Sequence, residues 1–282
     1  MATNKNITMK QYNGLDYDTL YPKTTPEQVG AVSYEAQTLT DGQKAQARSN
    51  IGAGSASKLA QKPDALLAYT ILHVAKTGSD TTGDGSEAKP FLTIQKALNS
   101  LLRLLLDRVI IRVHEGTYDE NVLVTKFIGN ESLSIEAARG ETVNIKTVDI
   151  ETVSLAGGVS VKGLTLTGTS NNNYNWSLRC QSCNAINIES VTCTGAVPTA
   201  SLGAFRLFNT ASVYIVNTVI SNKPIALDIT GATVYLNNTV TGTGNTVGIR
   251  CGSGYGIHGG FVQKGGASIA GEEQKYYGGQ IW

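Results

Sequence analysis

VSVKGLTLTG (159–168), INIESVTCTG (186–195), VYIVNTVISN (213–222) and VYLNNTVTG (234–242) are four versions of one pattern. The first residues of these blocks lie 27, 27 and 21 positions apart. Each block reads as two short strands joined by a bend, with apolar residues at alternating positions facing inward. A repeat of this length built only of strands predicts a solenoid whose coils stack to share one core. A four-stranded propeller blade needs about 40 residues or more, and a β-sandwich would not hold a fixed repeat. Upstream, VIIRV, NVLV, LSIEA, TVNIKTV and VSL follow one another with little room for helices. The expected fold is therefore all-β, a parallel β-helix of roughly six coils over 108–250.

Ahead of the coils, 66–107 reads as a cap made of a loop and a helix. The loop TGSDTTGDGSEAKP (77–90) precedes Ile94, Ala97, Leu98, Leu101, Leu102 and Leu105 at helical spacing. Leu104 and Leu106 widen that stripe, which predicts a helix covering the open end of the core. After the coils, 251–282 loses the strand rhythm, gains glycine and ends on Trp282, as expected of a C-terminal cap or tip.

The first 65 residues differ in texture. They are polar, contain Pro22, Pro26 and Pro63, and offer one short helix at Asp41 to Asn50, capped by Thr40 and closed before Gly52. Such a segment has too little periodic apolar surface to fold alone and is expected to order against partner chains as a connector.

The composition narrows function. Lys plus Arg number 23 and Asp plus Glu 22, so no net field draws the chain to nucleic acid or to an anionic membrane. The first residues lack the apolar run of a signal peptide, and no later run is long enough to span a bilayer, so cytoplasmic synthesis and no membrane insertion are expected. Cys180 and Cys183 form a CxxC without a second one, and they are read with Cys193 and Cys251 as small apolar strand residues. No metal or cofactor is implied.

Two families resemble parts of the chain. QYNGLDYDTLYPKTTPEQVGA (11–31) and LTDGQKAQARSNIGA (39–53) resemble segments near the N-termini of phage tail-fibre and tail-appendage proteins. That resemblance implies a virion protein, assembled in the bacterial cytoplasm as a homotrimer, whose N-terminal segment docks on other tail proteins. HVAKTGSDTTGDGSEAKPFLTIQKAL (73–98), followed by RVIIRVHEGTYDENVLVTK (108–126), resembles the start of pectin-lyase-like domains. The matching positions are Pro90, Phe91, Thr93, Ile94, Gln95 and Ala97, then Gly116, Tyr118, Glu120 and Val122. It implies a right-handed parallel β-helix with a capping helix, a fold that hosts many unrelated activities.

Some members of that superfamily cleave or de-esterify polysaccharide, but their methylesterase motifs do not occur here. From Thr152 to Gly271 the only carboxylates are Glu189 and Asp228, which fall at different places in the repeat, whereas a glycosidase needs two carboxyls within ~10 Å. Catalytic residues are therefore not assigned, and a polysaccharide depolymerase stays an alternative. Glu115, Asp119 and Glu120 sit in a turn and read as turn and capping groups. Asp80 and Asp84 flank a Gly-rich loop but fall short of a calcium ligand series. His73, His114 and His258 are assigned no chemistry.

Binding residues are more legible. The repeat places Ser160, Asn187, Tyr214 and Tyr235 at one outward position of successive coils, so the two tyrosines can stack about 4.8 Å apart. Aromatic faces suit sugar C–H surfaces; the same pair would equally suit a contact between subunits. TSNNNYNWS (169–177) carries Tyr174 and Trp176 on an expected projecting loop. Tyr174, Trp176, Tyr214 and Tyr235 are thus the candidate carbohydrate-binding residues, with host-surface polysaccharide as the expected partner. A purely architectural tail or baseplate spacer is the remaining alternative.

Overall fold

The computed structural model describes residues 9–12, 17–20, 40–50, 70–168, 175–195, 203–252 and 259–282. Two units emerge, Met1–Pro63 and Asp64–Trp282. In the first, Met9–Tyr12 pairs antiparallel with Tyr17–Leu20, a hairpin with no counterpart among the expected elements. The helix Asp41–Asn50 begins at Thr40, whose hydroxyl accepts from the Gln43 amide at 3.3 Å while the Gln43 side chain accepts from the Thr40 amide at 3.0 Å. Two otherwise unpaired amides are satisfied by that reciprocal exchange. The other residues of the two N-terminal stretches lie outside the described residues.

The second unit is a β-solenoid of about six turns with all of its strands paired in parallel. The repeat sets the register: Val159 pairs with Ile186, Ile186 with Val213, and Val213 with Val234. The row runs back to Leu133 and Val109 and forward to Val262 and Ile281, all of them buried in one continuous core. Two long sheets result among the described residues, one of nine strands and one of fourteen. The first strand of each repeat block, such as Val159–Lys162, builds the nine-stranded sheet, and the second, such as Leu164–Leu166, joins the other. Each coil also carries a third strand that the two-strand pattern omits: Trp176–Cys183, Gly203–Phe208, Ile225–Thr230 and Val247–Cys251 stack on one another.

The bend between the two strands of a block is left-handed at equivalent positions, with φ of 68° at Gly163, 55° at Ser190 and 48° at Asn217. Glycine and asparagine tolerate that region, whereas a β-branched side chain does not. The turn is what lets one block feed two sheets.

The helix ahead of the coils is shorter than its leucine stripe suggests. It spans Ile94–Ser100 and buries Ile94, Ala97 and Leu98. Leu101 is already extended, and Leu104–Leu105 forms a short strand against Ile128–Gly129. Leu105 points inward at 0% exposure while Leu102, Leu104 and Leu106 point out, which is the two-residue period of a strand. A short apolar run fits either period, and here the strand wins. Carboxylates fix the helix start. Asp80 accepts from the amides of Leu92 and Thr93 at 2.9 and 3.0 Å and from the Thr93 hydroxyl at 2.6 Å. Glu120 accepts from Ile94 and Gln95, each at 3.1 Å. Burial pushes the Glu120 carboxyl up, and those two amides oppose the shift.

Replacing Asn217 with Val is expected to cost about 1–2 kcal/mol, the penalty of a side chain crowded in the left-handed region. Denaturant unfolding should show this as a lower midpoint with an unchanged slope, while Ser190→Gly should shift the midpoint upward.

Candidate functional site

Parallel stacking turns every outward position into a row of side chains. On the nine-stranded sheet one row reads Ser134, Ser160, Asn187, Tyr214, Tyr235 and Gln263, each in register with the next. The Tyr214 and Tyr235 rings stack with centroids 4.8 Å apart and planes 14° from parallel. Tyr214 is 48% exposed and Tyr235 is partly buried, so the pair presents an aromatic surface to solvent. Ser160, by contrast, is buried although it points outward.

Two residues further along the same strands a second row reads His73, Arg112, Glu136, Lys162 and Glu189. Its charges alternate and pair: Arg112 with Glu136 at 2.9 Å, and Lys162 with Glu189 at 3.1 Å. The row opens into a groove of about 640 Å³ that also takes in Ala137, Arg139, Gly163 and Ser190. Small residues at the bends leave this space, and a Cβ at Gly163 would sit 3.3 Å from that of Ala137.

Trp176 does not belong to this surface. It begins a strand of the other sheet and has 0% exposure, packed in a satellite cluster with Ile225 and Val247. Its ring lies over Gly203 one coil away, where a Cβ would approach ring atom Cζ3 to 2.7 Å. A side chain without exposed surface cannot present its face to a sugar, so the expected loop aromatic is corrected to a packing residue. Tyr174 lies outside the described residues.

Of the acidic residues, Glu115 lines a groove with Glu87, Glu141 and His114, while the others named from the sequence lie apart from it. Asp228 is buried on the fourteen-stranded sheet between Arg206 at 3.8 Å and Arg250 at 2.8 Å. Glu189 is on the other sheet. Asp119 pairs with Lys146 at 3.3 Å, Glu120 caps the helix, and the Glu115 amide donates to Glu141 at 2.6 Å. Glu136 and Glu189 do line one groove, two coils apart, but each is ion-paired within the ladder. Asp80 accepts from two amides and the Thr93 hydroxyl and Asp84 from the Ser86 amide, and among the described residues no group of three or more His, Cys, Asp or Glu could hold a metal. The four cysteines are buried and free, and burial raises all four thiols. Among the described residues no helix is long and apolar enough to cross a membrane.

Two histidines assigned no role are brought together. His73 Nδ1 lies 2.9 Å from His114 Nε2, and His114 Nδ1 lies 3.3 Å from Glu141 Oε1, a chain across three coils. Aligning TILHV with VIIRV would have revealed it, since those strands are register neighbours and His114 follows directly. Burial, then the neighbouring His114, lowers the His73 pKa, with Arg112 adding to the effect and Glu87 opposing it.

No protein-family model, curated protein or solved structure matches the chain.

A histidine whose folded pKa is depressed favours folding while neutral, and this contribution is lost as pH falls from the ordinary value near 6.5 through the depressed one. The thermal midpoint should therefore drop as pH falls below about 6.5, and His73→Gln should flatten that slope; an unchanged slope would remove His73 as its source.

Proposed function

We propose that this chain is a structural component of a phage tail appendage, a fibre, spike or baseplate element, that binds host-surface glycan through a right-handed parallel β-helix. The observation that carries the binding half is the stacked, solvent-facing Tyr214–Tyr235 pair on a rigid sheet. Flat aromatic faces pack against sugar C–H surfaces, and the row places Asn187 and Gln263 on either side as hydroxyl partners. The virion half is supported by the N-terminal resemblance at 11–31 and 39–53, with the first 65 residues as the attachment segment to other tail proteins.

Binding is preferred to cleavage because Glu136 and Glu189 are held in ion pairs in the groove beside the tyrosine row, Asp228 is buried between two arginines, and the second groove, lined by Glu87, Glu115, Glu141 and His114, lies at the first coils away from the aromatic pair. Assembly as a homotrimer is supported by exposed aliphatic surface near the first coils. Leu104 and Ile128 are register neighbours and more than half exposed, with Leu102 and Leu106 flanking them on the same side. Monomers rarely leave such a patch open to water.

Light scattering on the full chain should give the mass of three chains, and Leu104→Lys with Ile128→Lys should lower it; a wild-type monomer would reject the assembly. Replacing Tyr214 and Tyr235 together by Ala should weaken adsorption to host cells while the melting temperature and oligomeric mass stay put. Each ring is expected to contribute about 0.5–1.5 kcal/mol beyond area burial. Loss of the trimer ahead of any loss of adsorption would instead assign the pair to a subunit contact.

A further inference from the structure

We infer that the glycan bound on this face is acidic, with a sugar carboxylate held in the groove beside Arg139 and Lys162. The inference rests on the glycan reading above and names the class of its ligand. Arg112, Arg139 and Lys162 line the groove against Glu136 and Glu189, so three cations face two carboxylates and one positive charge is left over.

The surplus is located on a single residue. Glu136 is taken by Arg112 and by the Ser134 hydroxyl at 3.3 Å, and Glu189 by Lys162. Arg139 makes no ion pair among the described residues and is exposed at the lip. It stands on a tight turn closed by the Glu141 amide donating to the Ala138 carbonyl, with Gly140 at φ 81°. The turn sets Arg139 at the edge of the space left by Ala137, Gly163 and Ser190. A guanidinium presents paired N–H groups that match a carboxylate in two parallel hydrogen bonds, and Lys162 has donors beyond the one given to Glu189. With Glu136 and Glu189 neutralised by Arg112 and Lys162, the uncompensated charge of the groove is at the Arg139 lip.

The groove and the aromatic pair are parts of one face. Lys162 is in register with Glu189 and Glu189 with Val216, and Tyr214 precedes Val216 by two residues on the same strand. At about 4.8 Å per coil and roughly 6.6 Å per two residues, Tyr214 lies on the order of 10 Å from the Lys162 position. A short oligosaccharide laid along the solenoid reaches both, with one ring on the tyrosines and an acidic unit at the groove.

The full chain would be titrated by calorimetry with tetragalacturonate, oligosialate and oligoglucuronate, each beside its carboxyl-reduced counterpart. At least one acidic member should bind more tightly than its reduced form. Arg139→Gln should weaken the acidic ligand about three- to tenfold while leaving the reduced one unchanged, and added salt should narrow the same gap. Tyr214→Ala with Tyr235→Ala should weaken both. Equal binding of acidic and reduced forms, or tyrosine-dependent binding indifferent to Arg139→Gln, overturns the acidic class and leaves the glycan reading standing. Failure of every oligosaccharide to bind overturns both.

Discussion

The structure depends on one constraint, the backbone ladder that sets each coil above the last in parallel register. Once Val159 is paired with Ile186, every other residue of the coil has a fixed neighbour about 4.8 Å away, and like positions accumulate into rows. Inward rows must then be apolar, or carry a polar side chain whose hydrogen bonds go to the backbone, as Thr218 does by donating to the Val216 carbonyl at 2.8 Å between Val191 and Val240. From Val74 to Ile281 the core meets that demand as a single cluster.

Outward rows are governed by electrostatics instead. Identical charges in register would sit at coil spacing and repel, so charged rows have to alternate. Arg112, Glu136, Lys162 and Glu189 do so on one sheet, and Asp149, Arg179, Arg206, Asp228 and Arg250 nearly so on the other. The exception, Arg179 beside Arg206, is resolved by direction: Arg179 meets Asp149 and Glu151, while Arg206 meets Asp228 and lies over the Trp176 ring. Aromatic rings face no such penalty, and Tyr214 above Tyr235 gains from the same register that troubles the arginines.

This logic also explains what could be seen in the sequence. The repeat blocks were legible because their inward residues are apolar and recur at a fixed distance, and the tyrosine stack followed from that alignment alone. The third strand of each coil is hidden because it falls outside the aligned blocks and its outward row carries the charges Arg179, Arg206 and Asp228, which only neighbouring coils neutralise. Trp176 misled for a related reason. Beside polar residues it looks exposed, and the space that buries it is supplied by Gly203, a residue in the next coil. The end of the helix is not legible because Leu101 to Leu106 satisfy helical and strand spacing alike. Arg139 carried no signal at all, since a lone arginine in a turn becomes distinctive only when the bends around it are found to be small.

The left-handed bends and the register together decide which changes of length the chain can absorb. Deleting one residue inside a strand would turn every later side chain of that strand to the wrong face, exposing the core row and burying the charged one. Adding a whole coil of 27 residues, the interval from Val159 to Ile186, would leave every face as it was and lengthen the solenoid by one strand spacing. Evolution along this architecture should therefore proceed by duplication of complete turns, with reach from one end to the other varying in steps while the surface chemistry of each turn stays free to drift.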